Sequence, residues 1–283
     1  MVDVRKFDTG RMPVWCPGCG NFGILMAVRK ALAELELEPE NVVLVTGIGC
    51  HGRMSEYVKV NTFHTIHGRV LPLATGIKLA NPDLTVIGHS GDGDAYAIGM
   101  GHLPHAARRN IDITLIVHNN MIFGLTTGQA TPTTPYGRKT RSTPYGNPEH
   151  PLNPLHLALA SGATFVARGF SADVEHLKEL IKKAIRHRGF AFVDVIQPCV
   201  TFFNTYKFFR ERVYKLEDTD HDPSDFRAAL DLVTRNEEKI PIGVIYQTER
   251  PVFELQFQHA MNPPPARRLS AIRDLSKILA RFR

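Results

Sequence analysis

The chain has 283 residues, 43% of them hydrophobic and 22% charged, so it is long enough to bury a sizeable core. No apolar run approaches the roughly 20 residues that span a bilayer, and the polar first segment lacks the apolar centre of a signal peptide, so we expect a cytoplasmic protein without a membrane partner. The net charge is +6. We attribute it to helix surfaces and a basic tail over residues 267–283, because no nucleic-acid-binding motif accompanies the basic clusters.

Apolar runs typical of strands alternate with helical patterns along the first 200 residues. The predicted strands are residues 42–45, 85–88, 113–117, 164–166 and 190–196, the last being the expected final strand of the core. The predicted helices are residues 21–35, 68–79, 95–109, 155–161 and 172–188. Pro104 should kink or split the third helix. This alternation predicts a doubly wound α/β fold, with a mainly parallel sheet and helices on both faces.

Two segments depart from the alternation. Residues 121–153 are rich in Thr, Pro, Gly and Tyr, and they are too long for a passive connection, so we expect a functional loop. From about residue 207 the pattern weakens into helices and loops. We interpret residues 207–283 as a C-terminal extension that contacts a neighbouring subunit.

A glycine turn and an asparagine mark one edge of the predicted sheet. Gly91, Asp92 and Gly93 follow one strand, and Asn120 follows the next strand 28 residues after Asp92. Because parallel strands end at the same edge, the carboxylate and the amide oxygen should meet there beside a helix N-terminus. With a backbone carbonyl near Ile122, they would supply the oxygen ligands that magnesium prefers. The spacing matches the thiamine diphosphate motif. The rival dinucleotide site would need a Gly-x-Gly-x-x-Gly turn after a strand together with an acidic residue placed for the ribose, and we find no such combination.

The four cysteines also point to this edge. Cys16 and Cys19 form a Cys-Pro-Gly-Cys pair, and Cys50 and Cys199 each follow a predicted strand. Buried inert thiols, a redox Cys-x-x-Cys pair, a four-thiolate zinc site and a [4Fe–4S] cluster are the alternatives. Spacing alone does not separate zinc from iron–sulfur. A redox cluster beside thiamine diphosphate is chemically sensible, because the species left after decarboxylation is strongly reducing.

Several motifs in one order resemble the beta subunit of 2-oxoacid:ferredoxin oxidoreductases. They lie at residues 15–21 (WCPGCGN), 46–50 (TGIGC), 67–69 (HGR), 75–78 (TGIK), 91–94 (GDGD) and 105–110 (HAARRN). The match continues through residues 128–129, 131–133, 142–147 and 197–199. The resemblance covers roughly residues 13–205. It implies a thiamine diphosphate- and magnesium-binding domain, residues 1–206, that also carries the four-cysteine cluster site.

The resemblance implies a role for each motif. Cys16, Cys19, Cys50 and Cys199 would ligate one [4Fe–4S] cluster, and Asp92, Asn120 and the Ile122 carbonyl would hold Mg²⁺. The residues that would contact thiamine diphosphate are Ile48, Gly49, Cys50, His51, His67, Gly91, Asp92, Gly93, Asp94, Asn120, Gly124 and Leu125.

The residues after Cys50 bear on the substrate. Arg53 occupies a position where family members carry a cation, and it would pair with the carboxylate of the 2-oxoacid. The simpler interpretation is a surface arginine. His51 replaces a small residue of the family pattern, which leaves the choice among pyruvate, 2-oxoglutarate and branched-chain acids open.

The resemblance also implies a reaction and partners. The 2-oxoacid would be oxidatively decarboxylated with coenzyme A to acyl-CoA and CO₂, and the electrons would pass through the cluster to ferredoxin. Thiamine enzymes need a glutamate against the aminopyrimidine ring, and no second domain here supplies it, so we expect an alpha subunit. Two other functions stay open. One is a non-redox thiamine-dependent decarboxylase or synthase with a structural metal, and the other is a non-catalytic zinc or iron–sulfur module.

Overall fold

The computed structural model describes residues 3–234, 238–257, 264–268 and 280. Its centre is an eight-stranded sheet with the order β2-β1-β3-β4-β6-β5-β8-β7. The strands are β1 Val42–Thr46, β2 Asn61–His64, β3 Thr85–Gly91, β4 Thr114–Asn119, β5 Phe165–Phe170, β6 Ala191–Ile196, β7 Val213–Lys215 and β8 Ile240–Gln247. The six strands β1 to β6 pair in parallel, and β8 joins antiparallel to β5. β7 pairs in parallel with β8. The sheet is therefore mainly parallel, as the sequence predicts.

Helices cover both faces of the sheet. They are α1 Asn21–Glu34, α2 Met54–Tyr57, α3 Val70–Ala80, α4 Leu103–Arg109, α5 Pro154–Ala160, α6 Val174–Arg186, α7 Tyr206–Arg210, α8 Phe226–Thr234 and α9 Pro265–Arg268. Successive side chains of β1 separate into two cores. Val42 and Leu44 join the core beneath α1 and α6, whereas Val43 and Val45 join the core beneath α3, α4 and α5. This two-sided burial is why the parallel strands read as unbroken apolar runs.

The third predicted helix splits near Pro104, as expected. A π-helical turn, Asp94–Ile98, is followed by α4, in which Pro104 occupies the first turn and needs no backbone donor. Asn110 then ends α4 in the left-handed conformation at φ 55°. The split keeps Asp94 in the turn that follows β3, so its carboxylate can reach back to other loops.

Three strands, β2, β7 and β8, were not predicted, and the expectation that residues 190–196 form the last strand of the core was wrong. β2 is an exposed edge strand with no apolar pattern. β8 contains Pro241 and Gly243, which interrupt the apolar pattern expected of a strand. It nevertheless pairs with β5, and most of its residues are buried. The chain beyond residue 207 thus supplies two strands to the same sheet. Most of the predicted basic tail, and parts of the predicted extension, lie outside the described residues.

In the described ranges, no helix is both long enough and apolar enough to cross a membrane.

Candidate functional site

Four neighbouring strands deliver their following loops to one edge of the sheet. β1, β3, β4 and β6 lie side by side, and residues 47–53, 91–94, 120–125 and 197–199 follow them. These are the segments in which the sequence places the thiamine motif and two of the cysteines. The edge is the usual ligand position of an open α/β sheet.

A cavity of about 360 Å³ opens at this edge. It is lined by Ile48, Gly49, Cys50, His51, His67, Gly91, Asp92, Gly93, Asp94, His118, Asn120, Ile122, Phe123, Gly124, Leu125, Thr126, Gln129 and Gln197. Every residue predicted to contact thiamine diphosphate is in this lining, and so is Ile122. The lining also contains His118, Phe123, Thr126, Gln129 and Gln197, for which the motifs predicted no contact.

The predicted magnesium ligands lie on one side of the cavity. Asp92 is 2% exposed, and its Oδ2 accepts a 2.7 Å hydrogen bond from the Thr133 hydroxyl. Burial raises the pKa of Asp92 to about 6, although the hydroxyls of Thr131 and Thr133 oppose the shift. Asn120 accepts the Ile122 backbone N–H at 3.0 Å. A buried carboxylate and an amide oxygen at one edge are a donor set that suits a hard cation.

The turn Thr131–Pro132–Thr133–Thr134 supports this side from the long loop. In this turn, the Thr134 hydroxyl donates a hydrogen bond to the Met121 carbonyl at 2.7 Å. Met121 has a φ of 60°, an uncommon conformation for a side-chain-bearing residue, and it turns the chain between Asn120 and Ile122. The loop over residues 121–153 therefore hydrogen-bonds to the side of the cavity that carries Asp92 and Asn120 rather than merely crossing it.

Asp94, the second carboxylate of the motif, makes its polar contacts with other residues of the protein. Its oxygens accept the Gly68 backbone N–H and the Ser90 hydroxyl, both at 2.6 Å, and lie 2.8 Å from His67 Nδ1. Burial raises its pKa, but the hydrogen bond and charge of His51, with the contacts from Ser90 and Gly68, outweigh burial and lower the pKa overall. Asp94 thus ties together the loops that follow β1, β2 and β3.

Two histidines lie under the cavity floor. His118 Nε2 is 2.8 Å from His89 Nδ1, and its own Nδ1 lies 2.7 Å from Asn21 Oδ1 at the start of α1. Burial lowers the pKa of His89 to about 3 and that of His118 well below its usual value. The pair is therefore neutral, and it joins β3 and β4 to α1.

The thiols of Cys50 and Cys199 lie beside the cavity. The Sγ atoms of Cys199 and Cys50 lie 3.5 and 3.9 Å from one point, the position that a Cβ on Gly124 would occupy. Burial, with smaller contributions from negative charge on Cys50, Cys199 and Cys16, raises the pKa of Cys19 to about 12, although a hydrogen bond from the Asn21 backbone opposes the shift. All four are free cysteines, of which Cys16 is exposed and the others are half-buried. The sequence-distant thiols thus come within electrostatic reach of one another.

Arg53 lies apart from the cavity lining. Its guanidinium is 3.4 Å from Glu56 on the same turn, and its side chain is about half-exposed. It follows Cys50 in the short helical turn Cys50–Arg53. Its predicted contact with a substrate carboxylate stays a prediction.

Comparison with known protein families gives matches to two successive parts of the chain. Residues 47–195 match the family described as "Thiamine pyrophosphate enzyme, C-terminal TPP binding domain", and residues 199–262 match the family of C-terminal regions of the pyruvate ferredoxin oxidoreductase beta subunit. The 2-oxoacid:ferredoxin oxidoreductase subunit beta of Saccharolobus solfataricus is 51% identical over 249 residues, which cover 83% of this chain and 82% of the relative.

A second relative and a solved structure extend the comparison. The 2-oxoglutarate oxidoreductase subunit KorB of Mycobacterium tuberculosis is 49% identical over 198 residues, 70% of this chain and 53% of the relative. The structure of a 2-oxoglutarate:ferredoxin oxidoreductase from Magnetococcus marinus, with 2-oxoglutarate, coenzyme A and succinyl-CoA bound, has a TM-score of 0.89 and 40% identity. The alignment covers 99% of this chain and 96% of that one. The predicted resemblance and fold class are confirmed.

Proposed function

This chain belongs to the family of 2-oxoacid:ferredoxin oxidoreductase beta subunits, and on that premise we propose that it works with an alpha subunit to decarboxylate a 2-oxoacid oxidatively. Coenzyme A takes the acyl group, and ferredoxin takes the electrons. The observation that supports the proposal most directly is the shared wall at Gly124. The thiols of Cys50 and Cys199 approach this glycine, and the glycine also lines the cavity that holds the thiamine motif.

Thiamine diphosphate and magnesium fit the donors of the cavity. Asp92, Asn120 and the Ile122 carbonyl would hold the metal. When bound, thiamine diphosphate supplies the electron sink for decarboxylation, and magnesium neutralises its diphosphate. The chain itself orients Asp92 through the Thr133 hydroxyl. The Phe123 ring also leaves little space beside the Gly91–Gly93 turn, because a Cβ on Gly93 would lie 2.2 Å from that ring.

We propose that the four thiols hold one [4Fe–4S] cluster. A four-thiolate zinc site would gather its sulfurs around one ion at about 2.3 Å. Within the part of the chain that the structure describes, no three His, Cys, Asp or Glu side chains are grouped to hold a single ion. A cluster instead distributes its cysteines over four irons, so its four thiols need not meet at one point. Two of them, Cys50 and Cys199, approach Gly124. When bound, the cluster supplies a one-electron acceptor.

The substrate proposal rests on the relatives and on Arg53. The Mycobacterium tuberculosis relative is named for 2-oxoglutarate, and the solved neighbour contains it, so we propose 2-oxoglutarate as the first substrate to test. Arg53 would release Glu56 and pair with a substrate carboxylate. The exposed apolar side chains of Ile48 and Leu125 on the cavity wall mark where an alpha subunit would complete the pocket. A cytoplasmic location and a domain boundary near residue 206 also stay proposals.

The test is anaerobic co-purification with an alpha subunit. We expect four irons and four sulfides per beta chain, bound thiamine diphosphate, and an electron paramagnetic resonance signal after reduction. Coenzyme A-dependent reduction of ferredoxin by 2-oxoglutarate should fall at least tenfold in Arg53→Met, with a smaller loss in Arg53→Lys. A preparation that binds thiamine diphosphate yet holds zinc, or full activity of the beta chain alone, would refute the proposal.

A further inference from the structure

Gln197 lies between the two proposed cofactor sites. It directly follows β6, is 1% exposed and lines the cavity. Gly20 permits the close approach of α1 to it, because a Cβ on Gly20 would lie 2.9 Å from Gln197 Cγ and 3.2 Å from its Cα. The start of α1, which carries Cys19 on its N-terminal side, is thus packed directly against this side chain.

The amide of Gln197 makes polar contacts in both directions. Its Oε1 accepts a 3.1 Å hydrogen bond from Asn120 Nδ2. Its Nε2 donates to Cys19 Sγ at 3.4 Å and to the Pro198 carbonyl at 3.1 Å. One side chain therefore joins a proposed magnesium ligand to a proposed cluster ligand.

The orientation of both amides follows from a backbone donor. The Ile122 N–H needs an acceptor, so Asn120 must turn its Oδ1 towards that group and its Nδ2 towards Gln197. Gln197 must then present Oε1 to Asn120, which leaves both of its N–H bonds for Pro198 and Cys19. Flipping either amide would face two like groups against each other, so the donor to the sulfur is fixed by the network.

We infer that Gln197 is a positioning residue that raises the reduction potential of the cluster by donating a hydrogen bond to the Cys19 thiolate, while it orients Asn120 on the thiamine side. This inference rests on the proposed function. Reduction adds one electron and one negative charge to the cluster, and an N–H donor to a ligating sulfur stabilises that added charge. Among the described residues, the Gln197 side chain donates a hydrogen bond to one of these sulfurs, that of Cys19. The backbone of Asn21 is a second donor to Cys19.

The test is a potentiometric titration of the assembled, cofactor-loaded complex, followed by electron paramagnetic resonance with dithionite as the reductant. Gln197→Met removes the donor and should shift the midpoint potential to more negative values. Gln197→Glu keeps an acceptor for Asn120 but adds a carboxylate, so it should shift the midpoint further in the same direction. Gln129→Met is the matched control, because the Gln129 side chain lines the same cavity but hydrogen-bonds Thr126 and contacts none of the four sulfurs in the described structure. Its midpoint should equal that of the wild type.

A second measurement separates the two contacts. Affinity for Mg²⁺–thiamine diphosphate, measured by calorimetry, should fall several-fold in Gln197→Met and less in Gln197→Glu. An intact cluster with an unchanged midpoint in both Gln197 variants would overturn the inference and leave the proposed function standing. Wild-type protein without a cluster signal would overturn both. If Gln197→Met does not assemble, the midpoint of Gln197→Glu serves as the test: a more negative value supports the inference and an unchanged value overturns it.

Discussion

Thr133 offers the sharpest test of the proposed magnesium site. Its hydroxyl lies 2.7 Å from Asp92 Oδ2 and 3.1 Å from Asn119 Oδ1. A hydroxyl has one proton, and the shorter contact to the charged acceptor should take it. Since Thr133 is 5% exposed, water would not readily replace the lost donor in Thr133→Val.

A hydrogen bond to a charged group contributes about 1.5–3 kcal/mol, and each 1.4 kcal/mol is about tenfold in affinity. We therefore expect Thr133→Val to weaken binding of Mg²⁺–thiamine diphosphate by roughly 10- to 100-fold, because the Asp92 carboxylate loses the contact that orients it. The assay is calorimetric titration of Mg²⁺ and thiamine diphosphate into cofactor-free protein.

Thr133→Ser is the matched control, since it keeps the hydroxyl and removes only a methyl group. It should bind within about threefold of the wild type, which corresponds to less than 1 kcal/mol. Equal affinity in Thr133→Val and the wild type, with both folded, would show that Thr133 does not position Asp92. An equal loss in the valine and serine variants would point to packing rather than hydrogen bonding.

Three further perturbations test other parts of the structure. Cys16→Ser should abolish the reduced-state resonance signal and the bound iron and sulfide, and retention of all three would remove Cys16 from the proposed ligands. Gly47→Ala should destroy cofactor binding, because the new Cβ would lie 1.9 Å from an Asp94 carboxylate oxygen. Gly76→Ala in α3 is its control: the new Cβ meets nothing within 4 Å, and the variant should be more stable than the wild type by about 0.5–1 kcal/mol in thermal unfolding. Hydrogen bonds from two lysines of α6 lower the pKa of Glu34, so its stabilising effect is present above its ordinary pKa of 4.5 and is lost as pH falls through the lower folded value. Glu34→Gln should therefore lower the melting temperature more at pH 7 than at pH 3, and an equal effect at both would contradict this.

The sheet was predictable where burial is two-sided. β1 and β4 are apolar on both faces because helices cover both, so the sequence alone locates them. β2 escaped prediction because every one of its residues is exposed at the edge of the sheet. β8 escaped because Pro241 and Gly243 break its pattern, and its pairing with β5 depends on a return of the chain after α8. Local pattern cannot encode such a return.

The site was predictable to the extent that its residues follow strands. The loops after β1, β3 and β4 meet because parallel strands share a carboxyl edge, so the positions of Asp92 and Asn120 follow from topology. Gln197 directly follows β6 and could be placed at this edge, but its hydrogen bonds to Asn120 and Cys19 depend on how the start of α1 packs against it. Thr133 follows no strand and could not be placed in this way. Thr133 reaches Asp92 from a loop whose path is set by its own hydrogen bonds, such as that between Thr134 and Met121.

The two carboxylates of the Gly-Asp-Gly-Asp motif show why spacing alone does not assign ligands. Both are buried, yet burial raises the pKa of Asp92 to about 6, whereas the contacts from His51, Ser90 and Gly68 lower that of Asp94. The charge of Asp94 is already compensated inside the protein, so it has little to gain from a cation. Asp92 receives only hydroxyl and backbone hydrogen bonds, and a divalent ion would compensate its charge. The same burial that makes Asp92 costly as a bare carboxylate therefore supports Asp92, rather than Asp94, as the proposed metal ligand of the pair.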